Sequence, residues 1–361
     1  MTRIGTNGTE MATGALGNIL VVTHGPGRGR SVPTGNVFLT RLRATDPELA
    51  FRIIRHSTGS PMPSLQGVSL VVFWLGDPLR QKYPGCYAQA VEIAEAASGR
   101  GIALINPPQG LSNTSKACQS GIWTEAGIPS AQARFISSAS DLPQAFASLG
   151  GPCILRGDET HAEHSVMVLK SRSDAELAAR SLQLPAALIR VHDIRAQYRA
   201  AGTDPSSLYA RFHHKARAFV FRGEVKASHL FFSREMIVGL SNSLLAREAR
   251  PRRRMLRQLG LRRTLFEDII AEDIAFFSSS LPYKDVLVRA VAALGLDVAA
   301  VDYSIRPDGT PILWEANPYF SLPRGEASVL SEERKAVIRV NASVDWMAGC
   351  LRAALPERLA S

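Results

Sequence analysis

The sequence predicts an N-terminal α/β lobe followed by a region built largely from paired strands. Three observations carry this. Apolar strand-like runs alternate with helix-like stretches between Asn18 and Ile105, the pattern of a parallel sheet. From Pro152 onward, strand candidates come in neighbouring pairs, as at 152–170 and 211–225. Residues 297–319, DVAAVDYSIRPDGTPILWEANPY, then read as a hairpin that carries carboxylate and amide side chains.

The 361 residues suffice for two or three lobes with a substantial core. A hydrophobic content of 45% and a charged content of 20% describe an ordinary water-soluble chain, and no apolar run approaches the roughly 20 residues that span a bilayer. Residues 1–17 are polar and rich in Gly and Thr, which predicts a loose tail without a signal peptide. The four cysteines, Cys86, Cys118, Cys153 and Cys350, form no CxxC pair, so neither a zinc site nor a disulfide framework is indicated, and a reducing cytoplasm is the expected setting. The net charge of +10 would attract nucleic acid or an acidic substrate, but eight arginines fall within 247–263 and no stacking platform accompanies them, so nucleic acid is not an expected partner.

In chain order, Asn18–Thr23 is a strand, followed by the glycine-rich turn His24–Arg30, which lacks the G-x-G-x-x-G spacing of a dinucleotide site. Strands are expected at Phe51–Arg55, Ser69–Trp74 and Ile102–Ile105, with a helix at Tyr83–Ser98 stopped by Gly99. Gly127 and Pro129 end a further helix, near whose start lies Lys116. Pro152–Arg156 and Ser165–Lys170 read as strands around the loop 157–164, in which His161 and His164 lack the one-face spacing of a helical metal motif. A helix at Asp174–Leu182 with Ser173 as its cap, and a strand at Pro185–Val191, follow. Arg211–Arg222 and the residues after Gly223 form two strands around a turn, with His229 as a further cleft candidate. Helices at Thr264–Phe277, Tyr283–Leu294 and Glu332–Ala354 complete the chain around the final hairpin.

That hairpin pairs Val298–Ile305 with Thr310–Ala316 across Pro307-Asp308-Gly309. Asp302 lies in its first strand, and Glu315 and Asn317, two apart, project to one face of the second. Two carboxylates and an amide are hard oxygen donors of the kind that suit Mg²⁺, whose shell is completed by water and nucleotide phosphates. The alternative is a solvated hairpin face.

Asp302 followed by Glu315-Ala316-Asn317-Pro318 resembles the metal-binding end of the ATP-grasp fold, as in glutathione synthetase, the D-alanine ligases and the peptide-tailing carboxylate–amine ligases. Asn106-Pro107-Pro108, Lys116 and Ala126-Gly127-Ile128-Pro129 resemble the segment that leads into that fold's nucleotide lobe, and Arg217 matches the arginine of an R-x-F-V-x-x-G-x-V segment. The resemblance implies an α/β N-terminal lobe (18–106), a nucleotide lobe (107–192) and a metal and substrate lobe (193–361), the last two being α+β and clasping ATP. It implies metal ligation by Asp302, Glu315 and Asn317, with Mg²⁺ or alternatively Mn²⁺. Nucleotide contacts are implied for Lys116, for Arg156, and for Arg190, Val191, His192 and Asp193 at the hinge. Arg217 and Arg156 would offset charge during phosphoryl transfer. The chain departs from the family pattern at Arg156, where a lysine is usual, and in the loop 157–164, whose only glycine is Gly157.

The expected activity is therefore ATP- and Mg²⁺-dependent ligation of a small-molecule or peptide carboxylate to an amine through an acyl phosphate. The alternative, prompted by Arg156 and the glycine-poor loop, is a nucleotide-binding module that has lost turnover. The substrates and the oligomeric state, with a homodimer among the options, stay open at this level.

Overall fold

The computed structural model describes residues 17–25, 35–160, 166–239, 241–248, 255, 259, 265–320 and 333–356. Twelve strands among the described residues form three four-stranded sheets. In the first, β1 (Asn18–Thr23), β2 (Ile53–Ser57), β3 (Val68–Trp74) and β4 (Ala103–Ile105) run parallel in the order β2-β1-β3-β4. The near-continuous apolar sequences of β1 and β3 follow from burial on both faces. Leu20, Val22, Val71 and Phe73 meet the helix Pro84–Ser98, whereas Ile19, Val21, Leu70 and Val72 meet Phe38, Leu42 and the C-terminal helix Glu333–Ala354.

Two sequence expectations are corrected here. The strand expected at Phe51–Arg55 begins at Ile53, because the helix Pro47–Arg52 runs through Phe51; Asp46 caps that helix by accepting from the Leu49 N–H, and Pro47 starts it. The cap expected at Ser173 is Ser171, whose hydroxyl accepts from the Asp174 N–H while Asp174 accepts in return from the Ser171 N–H. The expected loop histidines His161 and His164, and most of the arginine-rich segment 247–263, lie outside the described residues.

The second sheet, in the order β5-β8-β6-β7, joins β5 (Ala133–Ile136), β6 (Cys153–Gly157), β7 (Met167–Leu169) and β8 (Ala186–Arg190), all antiparallel. Cys153, Leu155, Ala186 and Leu188 pack one face onto the helices Leu142–Leu149 and Arg172–Ala179. Alternation turns Ile154, Arg156 and Ile189 to the opposite face.

The third sheet, in the order β10-β9-β11-β12, is antiparallel and comprises β9 (His213–Phe221), β10 (Glu224–Ser233), β11 (Val298–Ile305) and β12 (Pro311–Asn317). The expected Asp-Gly turn closes its hairpin, with Gly309 at φ 80° and the Asp308 carboxylate accepting from the Thr310 N–H. This sheet is tied to the first through Asn106, fully buried at φ 52°. Its side-chain oxygen accepts from the N–H groups of Asp297 and Val298, and its amide nitrogen donates to the Val298 carbonyl, so that one side chain joins the end of β4 to the start of β11. Nearby, a Cβ on Gly110 would lie 2.1 Å from the Gly295 carbonyl oxygen, so the short helix Pro108–Leu111 meets the turn at Gly295 only because residue 110 is glycine. No helix among the described residues is long and apolar enough to cross a membrane.

Candidate functional site

On one face of the third sheet, Lys215, Arg217, Phe219 and Phe221 alternate along β9, beside Val298, Ala300 and Asp302 on β11. Where this face packs against the first sheet and the C-terminal helix it is apolar, through Phe219, Phe221, Val298 and Ala300. Beyond that packing it turns charged and lines a cavity of about 400 Å³. Cross-strand pairing sets one side chain from each strand in a transverse row, in the order His229, Arg217, Asp302, Glu315.

A β-bulge aims the last member of that row. Tyr303 pairs with Leu313 and Asp302 with Glu315, which leaves Trp314 as the extra residue. Strict alternation would put Leu313 and Glu315 on one face. The bulge instead sends Leu313 into the core and lets both Trp314 and Glu315 line the cavity.

The two carboxylates sit among four cations. Arg217 donates to Asp302 through Nε and, at 2.9 Å, through Nη2, and Lys215 Nζ lies 3.1 Å from the same carboxylate. Glu315 faces Lys116 Nζ and Arg156 Nη1, each at 3.4 Å, and accepts from the Asn317 amide at 3.1 Å. Burial by itself would raise both carboxyls, but the cations outweigh it. Arg217 and Lys215 hold Asp302 below its usual value, and Lys116, Arg156 and Lys215 hold Glu315 well below.

Lys116 opens the helix Lys116–Glu125 and is buried, 4% exposed. Its position is set by the loop that follows β6. The Asp158 carboxylate accepts from the Ala117 N–H at 2.8 Å, and the Asp158 carbonyl accepts from the Lys116 N–H. A residue of the loop that follows β6 thereby caps the helix that bears Lys116.

At the other end the cavity is an apolar slot. Ile154 and Ile189 line it from the second sheet, Val191 and Ile194 from the segment after β8, Trp314 from β12, and Ile237 and Val238 from the segment after β10. Asn242 fixes that segment by accepting from the Gly239 N–H and donating to the Ile237 carbonyl. The Trp314 indole donates to the Ser304 hydroxyl, which donates to the His214 carbonyl.

The structure thus brings Asp302, Glu315, Asn317, Arg217, Arg156, Val191 and His192 to one cavity, with Lys116 paired to Glu315 behind it. Arg190 and Asp193 are not among the lining residues. The Asp193 carboxylate caps the helix Ile194–Ala200 and is held by Arg195 at 2.8 and 2.9 Å. His229 neighbours Arg217 in the row but does not line the cavity. Sequence reasoning missed Lys215, which strand alternation from Arg217 would have found, and missed Trp314 and Ile237–Val238, which no periodicity marks.

A nucleotide triphosphate fits this arrangement. The slot offers apolar walls of a kind suited to a base, and the charged end has four cations against two carboxylates. Among the described residues, Arg156 Nε and, beyond its ion pair with Glu315, Lys116 Nζ are buried donors without a hydrogen-bond partner, as expected where an anion supplies the missing acceptors. Two carboxylates and one amide are too few for an all-protein cage but suit Mg²⁺ that shares its shell with phosphates.

No protein-family model matches the chain, and no curated protein matches it in sequence. Solved structures do match. The ATP-grasp ligase PsnB, complexed with a phosphomimetic variant of its minimal precursor, Mg and ADP, is 14% identical with a TM-score of 0.50, over 91% of this chain and 99% of that one. PsnB complexed with precursor peptide PsnA2 and AMPPNP is 13% identical with a TM-score of 0.50, over 91% and 99%. A D-alanine–D-alanine ligase from Bacillus anthracis complexed with ATP is 13% identical with a TM-score of 0.48, over 94% and 98%.

Proposed function

Because the chain has the ATP-grasp fold, we propose that it is an ATP- and Mg²⁺-dependent ligase that joins a carboxylate to an amine. The observation that carries this is the coexistence, in one cavity, of an apolar slot and a charged end where two carboxylates and an amide lie among four cations.

In this reading the base of ATP occupies the slot between Ile154, Ile189, Val191, Trp314 and Ile237, with His192 at its edge. Lys116, Arg156, Lys215 and Arg217 face the phosphates. Asp302, Glu315 and Asn317 would hold Mg²⁺, which would neutralise phosphate charge. A carboxylate oxygen of the first substrate attacks the γ phosphorus, the bond to the β–γ bridging oxygen breaks, and ADP departs. Arg217 and Arg156 offset the negative charge spread over the transferring group. The amine nitrogen then attacks the acyl carbon, phosphate leaves with the bonding electrons, and the nitrogen gives up a proton to form the amide. No side-chain nucleophile is needed, since positioning and charge supply the rate.

The test is mass spectrometry of a metabolite and peptide extract incubated with protein and Mg-ATP, together with a coupled assay for ADP. Wild type should release ADP and form a product heavier by condensation, and Glu315→Gln should lower both by about 100-fold or more. Identical products from the two proteins would refute the metal assignment. A second reading, a nucleotide-binding module without turnover, draws on Arg156, where the family has a lysine, and on the loop 157–164, whose only glycine is Gly157. Binding of Mg-ATP without ADP release from any substrate pool would favour it.

A further inference from the structure

We propose that the metal site of this chain is closed by its own cations and opens only when a polyphosphate takes them away, so that metal binding depends on the nucleotide. The inference rests on the nucleotide-and-metal reading above and adds Lys215 to the phosphate-binding set.

Every oxygen of the two carboxylates already has a partner. Asp302 Oδ1 accepts from Arg217 Nε, and Oδ2 faces Arg217 Nη2 at 2.9 Å and Lys215 Nζ at 3.1 Å. Glu315 Oε2 faces Lys116 Nζ and Arg156 Nη1, and Oε1 accepts from Asn317 Nδ2. The Asn317 amide thus spends its NH₂ group on Glu315. Among the described residues, no three acidic, histidine or cysteine side chains form a group able to hold a metal ion. A bare divalent cation would have to displace a doubly hydrogen-bonded guanidinium from a carboxylate that is 1% exposed, against the charge of three further cations.

A polyphosphate changes both sides of this balance. Its oxygens are acceptors for the same N–H groups, and Lys116 Nζ and Arg156 Nε lack a hydrogen-bond partner before it arrives. Lys215 and Arg217 together free Asp302 when they turn to phosphate, Lys116 and Arg156 together free Glu315 Oε2, and each departure removes positive charge from the metal's position. The two ligands are therefore coupled, and each tightens the other by the same factor. The nucleotide enters first or brings the metal with it.

Binding, without turnover, tests this. Mn²⁺ is titrated by electron paramagnetic resonance into protein alone and into protein in excess over a non-hydrolysable ATP analogue, and the analogue is titrated by calorimetry in EDTA. The analogue should bind in EDTA, and Mn²⁺ should bind protein alone at least about 10-fold more weakly than the analogue complex. Arg217→Met and Lys215→Met should each tighten Mn²⁺ binding to protein alone by about 10-fold. Lys215 makes one contact to Asp302, outside the paired guanidinium–carboxylate contact, and its variant serves if thermal melts show that Arg217→Met does not fold. If wild type binds bare Mn²⁺ as tightly as its analogue complex does, or if the folded variants bind it no more tightly, the closed-site proposal is wrong and the proposed function stands. If Mn²⁺ binds in no state, with the analogue included, the metal reading fails and this inference with it.

Discussion

Asp302, Glu315 and Asn317 were legible as a set of oxygen donors because residue type and spacing within one hairpin mark them. Their partners were less so. Lys116, Arg156, Lys215 and Arg217 come from three separate stretches of chain, and only folding makes them neighbours of the same two carboxylates. Asn106 illustrates the same limit: a turn residue in sequence, it carries the join between two sheets. Asn106→Leu strands the buried N–H groups of Asp297 and Val298 and the Val298 carbonyl, and it forces a branched side chain to a positive φ. Urea unfolding should show a loss on the order of 3 kcal/mol, while Asn106→Asp, which keeps the accepting oxygen, should lose less.

Most strands of the three sheets fell where apolar alternation put them, within one or two residues at their ends. Two element-level features escaped the sequence. The bulge at Trp314 breaks the period of two, so alternation counted from Leu313 would have turned Glu315 into the core. The helix Lys116–Glu125 receives a capping carboxylate from Asp158, forty-one positions away in sequence, which no local capping rule detects. Asp158→Ala should therefore lower stability by about 1 kcal/mol and weaken binding of an ATP analogue, whereas Asp158→Asn, an equally good cap, should do neither. Calorimetric titration of the folded variants reads both, and an unchanged affinity in Asp158→Ala would separate the cap from the site.

At the scale of the molecule, burial of histidines beside cations sets a pH dependence. Burial, aided by Arg195, lowers His213 to about 4; burial lowers His214 to about 3; burial, aided by Arg217, lowers His229 to about 3. In the unfolded chain each titrates near about 6.5. The unfolded state then binds more protons below that value, so stability is full above about pH 6.5 and falls as pH drops toward about 4, with His214 and His229 extending the loss toward about 3. Melting temperatures measured across this range should decline accordingly, and His213→Asn should flatten the decline. A level profile in wild type would contradict the burial of these rings.

By itself the sequence determined most strands of the three sheets, the hairpin, its oxygen donors and the likeness to ATP-grasp ligases, because these depend on residue type and short-range period; it did not mark the strand Ala133–Ile136 or the helices Asn36–Thr45 and Leu142–Leu149. Only the tertiary structure decided which cations meet which carboxylates, which face of β9 and β11 is core and which is site, and how the apolar slot is walled. Those outcomes depend on contacts between segments distant in sequence and on a bulge that resets alternation, and neither leaves a local pattern to read.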